Sequence, residues 1–280
     1  MRKGKTFKYS DTVLINYEEY GEGDRCIIFI HGFSESIQTW TWIKDRIAEK
    51  YRIFLVDLKG FGLSSKPNDD NYSPVDQADI ITEIIKNYDL KNLTIIGHSF
   101  GGGVALLTVM KLLDEGRESL LKNLVLINSA GYLSKLPVFI RLLRKPLVGV
   151  LFFGLFPPRF ISKVSLKRVY YDPKKIKEEK ISLYAELFKL PGIVNSMKKT
   201  ARCIIPDNHS EYLDKFSSIS IPVLILWGKN DLLLPVEQAH KFNSELPDSE
   251  VHVFDNCGHM PHEEYPEETT DLILDFLARK

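Results

Sequence analysis

Cysteine is scarce in this chain, three residues among 280, and Cys26, Cys203 and Cys257 stand far apart. They form no C-x-x-C pair and no metal-ligand spacing with histidine, which argues against a disulfide framework and against a bound metal. Reduced thiols fit a cytosolic setting, so the cytoplasm is the expected location. Net charge is lacking too. Lysine plus arginine equals aspartate plus glutamate at 37 each, which removes any overall bias toward nucleic acid. No uncharged apolar run is long enough to span a bilayer. The basic start, Met1-Arg2-Lys3-Gly4-Lys5, is followed by polar residues and a strand pattern instead of an apolar signal core. Neither an internal repeat nor a low-complexity linker is visible.

One absence is local. Between Ser119 and Tyr171 there is no aspartate or glutamate, whereas Lys122, Lys135, Arg141, Arg144, Lys145, Arg159, Lys163, Lys167 and Arg168 all fall inside. Within this interval Pro146 to Pro158 is wholly apolar and too short to cross a membrane. Its plain reading is a helix that packs on the rest of the protein and gives a pocket a greasy wall, favouring an acyl chain or aromatic group. A sharper reading is peripheral contact of a basic, apolar face with an anionic membrane surface.

What is present is a strong alternation. Val13–Tyr17, Cys26–Ile30, Ile53–Val56, Leu93–Ile96, Leu124–Ile127 and Val223–Leu226 read as short strands, several of them continuously apolar. Continuous apolar strands are those buried on both faces of a parallel sheet. Helical patterns over roughly 74–88, 100–115, 235–245 and 265–279 alternate with them. The expected fold is therefore α/β, a mostly parallel sheet flanked by helices, with ligands bound beyond the carboxyl ends of the strands. Between about 131 and 216 the alternation breaks. That interval is expected to be a mainly helical cap inserted after the sixth strand, dividing a core of 1–130 and 217–280.

The most informative stretch is Gly97-His98-Ser99-Phe100-Gly101, led in by Leu93–Ile96 and led out by Gly102-Gly103-Val104. Strand, G-x-S-x-G, then helix is the context of a nucleophile elbow. Such a turn holds Ser99 in a strained backbone geometry, tolerated because glycines at 97 and 101 let neighbouring backbone crowd in. The Phe100 amide then sits at a helix N-terminus, aimed at developing negative charge.

This order of motifs resembles the α/β-hydrolase fold family, in its capped serine esterase, lipase and C–C hydrolase branch, from about Tyr9 to Leu277. The resemblance implies a triad in the chain order serine, acid, histidine. Trp227 to Pro235 looks like the family's acid loop and makes Asp231 the acid. Asn256-Cys257-Gly258-His259, after the strand-like Val251–Phe254, makes His259 the base. Nearby His262 reads as a hydrogen-bonding residue of a surface turn, and His209, His240 and His252 as surface or core histidines. His98 reads as support for the elbow, by packing or by shaping the pocket. Asp255 is a rival acid but sits too near His259 on one loop. Asn128 occupies the other place, after Leu124–Ile127, where an acid could stand. The segment His31-Gly32-Phe33 implies a second oxyanion donor, the Phe33 amide, beside that of Phe100. His31 and Asp57 read as structural.

The implied activity is hydrolysis of a carboxylic ester with a hydrophobic acyl or aromatic group, through an acyl-enzyme on Ser99, needing no cofactor and no metal. The alternatives are a C–C hydrolase of ring-cleavage dienones and a slow-turnover ligand receptor on the same scaffold. Relatives that hydrolyse dienones usually carry asparagine where His98 stands, and a longer glycine-rich oxyanion loop.

Overall fold

The computed structural model describes residues 4–132, 136–145 and 153–280. Lys135 and most of the apolar stretch beginning at Pro146 therefore lie outside the described residues, as do Met1 to Lys3. Eight strands form one sheet in the order β1-β2-β4-β3-β5-β6-β7-β8. They are β1 (Lys5–Lys8), β2 (Leu14–Tyr20), β3 (Cys26–Ile30), β4 (Arg52–Val56), β5 (Leu93–His98), β6 (Leu121–Ile127), β7 (Val223–Gly228) and β8 (Ser249–Phe254). β1 pairs with β2, and β2 with β4, in antiparallel fashion. From β4 to β8 every pairing is parallel.

The pleat explains the continuous apolar strands. In β3, Ile28 and Ile30 pack on one face with Ile81 and Ile84 of helix Pro74–Asn87 and with Val104 of helix Phe100–Asp114. Ile27 and Phe29 point the other way, toward Trp40, Ile47 and the Ile273, Phe276 and Leu277 of the C-terminal helix Pro266–Arg279. Both faces are dry, so alternation of polar and apolar residues has no place in this strand. Helix Pro74–Asn87 starts where its sequence dictates. Ser73 and Asp76 form a reciprocal capping box and Pro74 takes the first helical position.

Between β6 and β7 the described chain runs through helices Val138–Leu143, Pro158–Val169, Glu178–Phe188, Ile193–Arg202 and His209–Asp214. Leu166, Tyr170, Ile181, Tyr184 and Leu187 form an apolar cluster of their own there, which also takes in Met260 from the loop beyond β8. Among the described residues no helix is long and apolar enough to cross a membrane. Cys26, Cys203 and Cys257 are free thiols.

Candidate active site

Parallel strands deliver their carboxyl ends to one edge of the sheet, and the loops that follow β3, β5, β6, β7 and β8 meet there. Non-glycine residues with positive φ mark four of them: Ser34, Ser99, Asn128 and Asn256. Backbone strain of this kind gathers where the surroundings over-determine the geometry, at about 1–3 kcal/mol per residue. Ser99 follows β5 directly with φ 52° and ψ −120° and opens helix Phe100–Asp114. Its amide donates to the Ile127 carbonyl at 3.0 Å, and its carbonyl accepts from Gly102 and from Ala130 at 2.9 Å each. The elbow is thus tied to its own helix and to the strand beside it. A Cβ at Gly97 would lie 2.5 Å from the Gly101 carbonyl oxygen, and one at Gly101 would lie 2.3 Å from that of Ile30. Only glycine lets the helix start this close to β3 and β5.

The Phe100 amide is the first of its helix, and the Phe33 amide lies in the loop after β3. Neither donates to a backbone carbonyl among the described residues. Phe33, Ser99 and Phe100 line one chamber, and an amide without a carbonyl partner is a donor of the kind that can stabilise an oxyanion.

Asp231 lies three residues beyond β7. Its Oδ2 meets Nδ1 of His259 at 2.6 Å and accepts from Asn128 Nδ2 at 2.6 Å. Its Oδ1 accepts from the Leu233 and Leu234 amides at 2.7 and 3.1 Å. Burial pushes this carboxyl up, but the His259 ring, its hydrogen bond, Asn128 and the Leu233 amide outweigh it and hold Asp231 below the usual carboxylate range. An ionised Asp231 accepts the Nδ1 proton and so leaves Nε2 of His259 as a free acceptor. The rival acid Asp255 is exposed and paired with Lys229 at 2.7 Å. Asn128, just after β6, donates to Asp231.

Ser99 and His259 line one cavity of about 650 Å³, together with Phe33, Leu136, Phe139, Leu233 and Met260. A smaller chamber of about 150 Å³ shares Ser99 with it and is walled by Phe100, Leu107, Met110, Tyr132, Ile204 and His209. Ser99, Phe33 and Phe139 belong to both walls. Among the described residues no group of three or more His, Cys, Asp and Glu side chains is placed to hold a metal ion.

Several polar residues near the site escape a reading of the sequence. Glu35 accepts from the Gly32 amide at 2.8 Å and faces Nδ1 of His98 at 3.1 Å, while Nε2 of His98 reaches the His259 carbonyl at 2.9 Å. Flanked by a carboxylate and a carbonyl, His98 satisfies both only as the doubly protonated ring. Burial lowers its pKa, but the Glu35 charge and hydrogen bond prevail and raise it above the ordinary imidazole value. Glu35 answers in kind: burial raises it, and His98 brings it below the usual range. A buried ion pair thus joins the loop after β3 to the loop after β8 through the residue before Ser99.

His262 is a correction. It is fully buried, not part of a surface turn. It packs on Trp40 and His98, with ring centroids 4.8 and 4.6 Å away, and its Nε2 meets Thr39 Oγ1 at 2.8 Å. Burial first, then the neighbouring His98, Lys180 and His259, hold its pKa well below the ordinary value. Thr39 in turn donates to Glu263, which also accepts from Tyr170, Tyr184 and Lys180. His209 is a wall residue of the smaller chamber, its Nε2 2.9 Å from the Gly131 carbonyl. His31 and Asp57 are structural as read: His31 Nε2 accepts from the Leu58 amide, and Asp57 accepts from the Ile37 and Leu63 amides.

A wound, mostly parallel sheet with a strained serine after β5 and an acid-backed histidine after β8 is the architecture of an α/β hydrolase. The model of the alpha/beta hydrolase fold matches residues 25–266, and the chain belongs to that family. An uncharacterized hydrolase of Bacillus subtilis, YugF, is 29% identical over 273 residues, which are 95% of each chain. A 2-hydroxy-6-oxo-6-(2'-aminophenyl)hexa-2,4-dienoic acid hydrolase of Metapseudomonas resinovorans is also 29% identical, over 94% of this chain and 87% of its own. Among solved structures, an esterase of Exiguobacterium antarcticum superposes with a TM-score of 0.82 at 22% identity, covering 98% of this chain and 99% of that one. A meta-cleavage product hydrolase of Pseudomonas fluorescens IP01 gives 0.81 at 23%, covering 99% and 98%. At these identities the structural likeness is one of fold.

Proposed function

We propose that the protein is a serine hydrolase that cleaves carboxylic esters of apolar substrates, with Ser99 as nucleophile, His259 as base and Asp231 as the acid that orients it. The observation that carries this reading is the strained Ser99 on a cavity it shares with a histidine whose Nδ1 is committed to a buried carboxylate, with the unengaged amides of Phe33 and Phe100 on residues of the neighbouring chamber wall. Ser99 Oγ attacks the carbonyl carbon while His259 Nε2 takes its proton. The oxyanion is held by the two amides, each worth about 3 kcal/mol of barrier. His259 then returns the proton to the departing alcohol, and water releases the acid from Ser99 by the same route in reverse roles. The described helices between β6 and β7 act as a cap that walls both chambers. Because Ser99 stands where the two apolar chambers meet, a substrate with one apolar group on each side of its ester bond suits the site best.

Labelling of Ser99 by a fluorophosphonate, followed by turnover on a graded p-nitrophenyl ester series, tests the proposal. Ser99→Ala abolishes both. Wild-type turnover by Ser99→Ala would end it, and labelling without turnover would favour a ligand receptor. A second reading has one observation in its favour: Arg141 and Arg168 line the larger chamber, a chemistry that suits a carboxylate such as those of the dienoic acids named for one relative. Cleavage of a 2-hydroxy-6-oxodienoic acid faster than of any p-nitrophenyl ester would establish it.

A further inference from the structure

The described residues carry few large exposed apolar side chains outside one region. Val138, Phe139 and Leu142 on one helix, Val164 on the next and Leu232 on the acid loop are all exposed, Leu232 at 62% and Val138 at 58%. All five line the larger chamber, so they form the rim of its mouth. Leu155, at 72%, and the stacked pair Phe156 and Phe160 extend the apolar surface along the start of helix Pro158–Val169. A folded protein gains nothing by leaving such a patch in water, and a patch of this kind marks a surface that is covered in use.

The charges around the patch say what covers it. Arg144 and Lys145, just past the end of helix Val138–Leu143, and Lys163 and Lys167 on helix Pro158–Val169 are exposed, and Arg141 and Arg168 stand at the mouth itself. Arg159 is paired, with Glu178 at 2.6 Å. For the other six no carboxylate lies within ion-pair reach among the described residues, and the sequence has none between Ser119 and Tyr171. A second copy of the chain seated on this face about a two-fold axis would bring these cations against their own kind. An anionic lipid bilayer offers the opposite: negative headgroups for the lysines and arginines, and acyl chains for the aromatic and aliphatic rim.

We infer that this face docks on anionic bilayers and opens the larger chamber directly onto the acyl region, so that the enzyme draws its ester from the membrane. The docking stands on the surface alone, while the delivery of substrate rests on the hydrolase reading above. The two fail separately in one experiment. The full chain is floated with vesicles of phosphatidylcholine alone and with equimolar phosphatidylcholine and phosphatidylglycerol, and turnover of a water-soluble p-nitrophenyl ester is followed in the same samples.

Binding is expected only with phosphatidylglycerol and is reversed by salt, as the screening length shrinks from ~30 Å at ~0.01 M to ~3 Å at ~1 M. Removing one interfacial cation lowers the partition coefficient roughly fivefold. The combined Arg144→Gln, Lys145→Gln, Lys163→Gln and Lys167→Gln variant is therefore expected to bind on the order of 10²–10³-fold more weakly, with soluble-ester turnover unchanged. Leu155→Ser with Phe160→Ser keeps the salt dependence and loses most of the remaining affinity. No flotation of the wild-type protein with phosphatidylglycerol at low salt overturns the inference, whatever the variants do. Equal binding to both vesicle types overturns it as well, as does a concentration-dependent dimer that Leu155→Ser abolishes.

Discussion

Asp231→Asn is the most searching perturbation of the proposed machinery, because the structure dictates how the new amide must sit. The Leu233 and Leu234 amides donate to Oδ1, so the carbonyl oxygen of the asparagine stays there. Its NH2 then takes the place of Oδ2, where it faces two donors: the Nδ1 proton of His259 and the Nδ2 group of Asn128. Asn128 cannot turn its amide without withdrawing Oδ1 from the Gly228 amide at 3.2 Å. The ring escapes the clash by moving its proton to Nε2, and with it loses the lone pair that takes the Ser99 proton. A wrong tautomer in intact geometry lowers kcat by about 10⁴-fold, four decades at about 1.36 kcal/mol each, or about 5.4 kcal/mol. Stability suffers less, by about 1–3 kcal/mol for the donor left facing a donor. The assay is kcat on p-nitrophenyl butyrate beside a thermal melt. Adding Asn128→Asp to this variant puts a carboxylate next to the same place and is expected to restore part of the lost rate. A kcat within tenfold of wild type, in a protein that melts normally, would refute the role given to Asp231.

Three further outcomes follow, two from buried polar groups and one from the crowded backbone at Gly101. Glu35→Gln removes the partner of His98; losing one member of a buried pair costs about 3–5 kcal/mol. Glu35, depressed in the fold, stabilises above its unfolded value near 4.3, and its contribution is lost as pH falls through the lower folded one; His98, raised, stabilises below about 6.5 and is lost as pH rises through its higher folded value. Urea unfolding should therefore show the largest penalty between about pH 4.3 and 6.5, and a pH-independent penalty would contradict the ion pair. Lys180→Met leaves Glu263 buried with its charge uncompensated, since the two side chains are 4% and 1% exposed at 3.2 Å; the expected loss is again about 3–5 kcal/mol, with kcat falling more than KM changes and Lys180→Arg recovering more of both than Lys180→Gln. Gly101→Ala drives a Cβ into the Ile30 carbonyl and is expected to lower stability by about 1–3 kcal/mol while reducing fluorophosphonate labelling of Ser99. Unaltered melting and labelling would show that the elbow has slack.

The strands that carry the site were legible because their chemistry is uniform. β3 reads as a buried strand from Cys26 to Ile30, and both of its faces are indeed dry. Edge strands leave a fainter trace: of Lys5–Lys8 only Phe7 is buried, and short helices such as Lys44–Ala48 carry too few residues for a periodic pattern. The glycines at 97 and 101 were legible because a backbone contact excludes every other residue. The interior around His262 was not. His262-Glu263-Glu264 reads locally as a polar surface turn, and the residues that bury and satisfy it, Thr39, Tyr170, Lys180 and Tyr184, come from distant parts of the chain. No local pattern announces a partner more than seventy residues away. Glu35 was hidden for the same reason, its counter-charge lying 63 residues on at His98.

These hidden residues change what the helices between β6 and β7 are for. The His259 amide donates to the Val169 carbonyl at 2.7 Å, so the proposed base is hydrogen-bonded to the end of helix Pro158–Val169. Glu264 accepts from the Gly258 amide through one oxygen at 2.7 Å and from the Tyr171 amide through the other at 2.9 Å. Glu263 and Lys180 close the same connection from helix Glu178–Phe188. A lid that swung away as one body would break all of these bonds and release the base at the moment substrate arrives. Helix Val138–Leu143 is bound differently: Ile140 and Leu143 anchor it by apolar packing, and its exposed residues form the mouth of the larger chamber. Opening at that helix separates apolar surfaces and leaves His259 on Asp231. On the proposed reading, substrate entry and base position fall to different helices between β6 and β7, so substitutions at Ile140 should act mainly on KM and those at Lys180 mainly on kcat. The opposite pattern in steady-state kinetics would place the entrance on the side of Val169 and Tyr170.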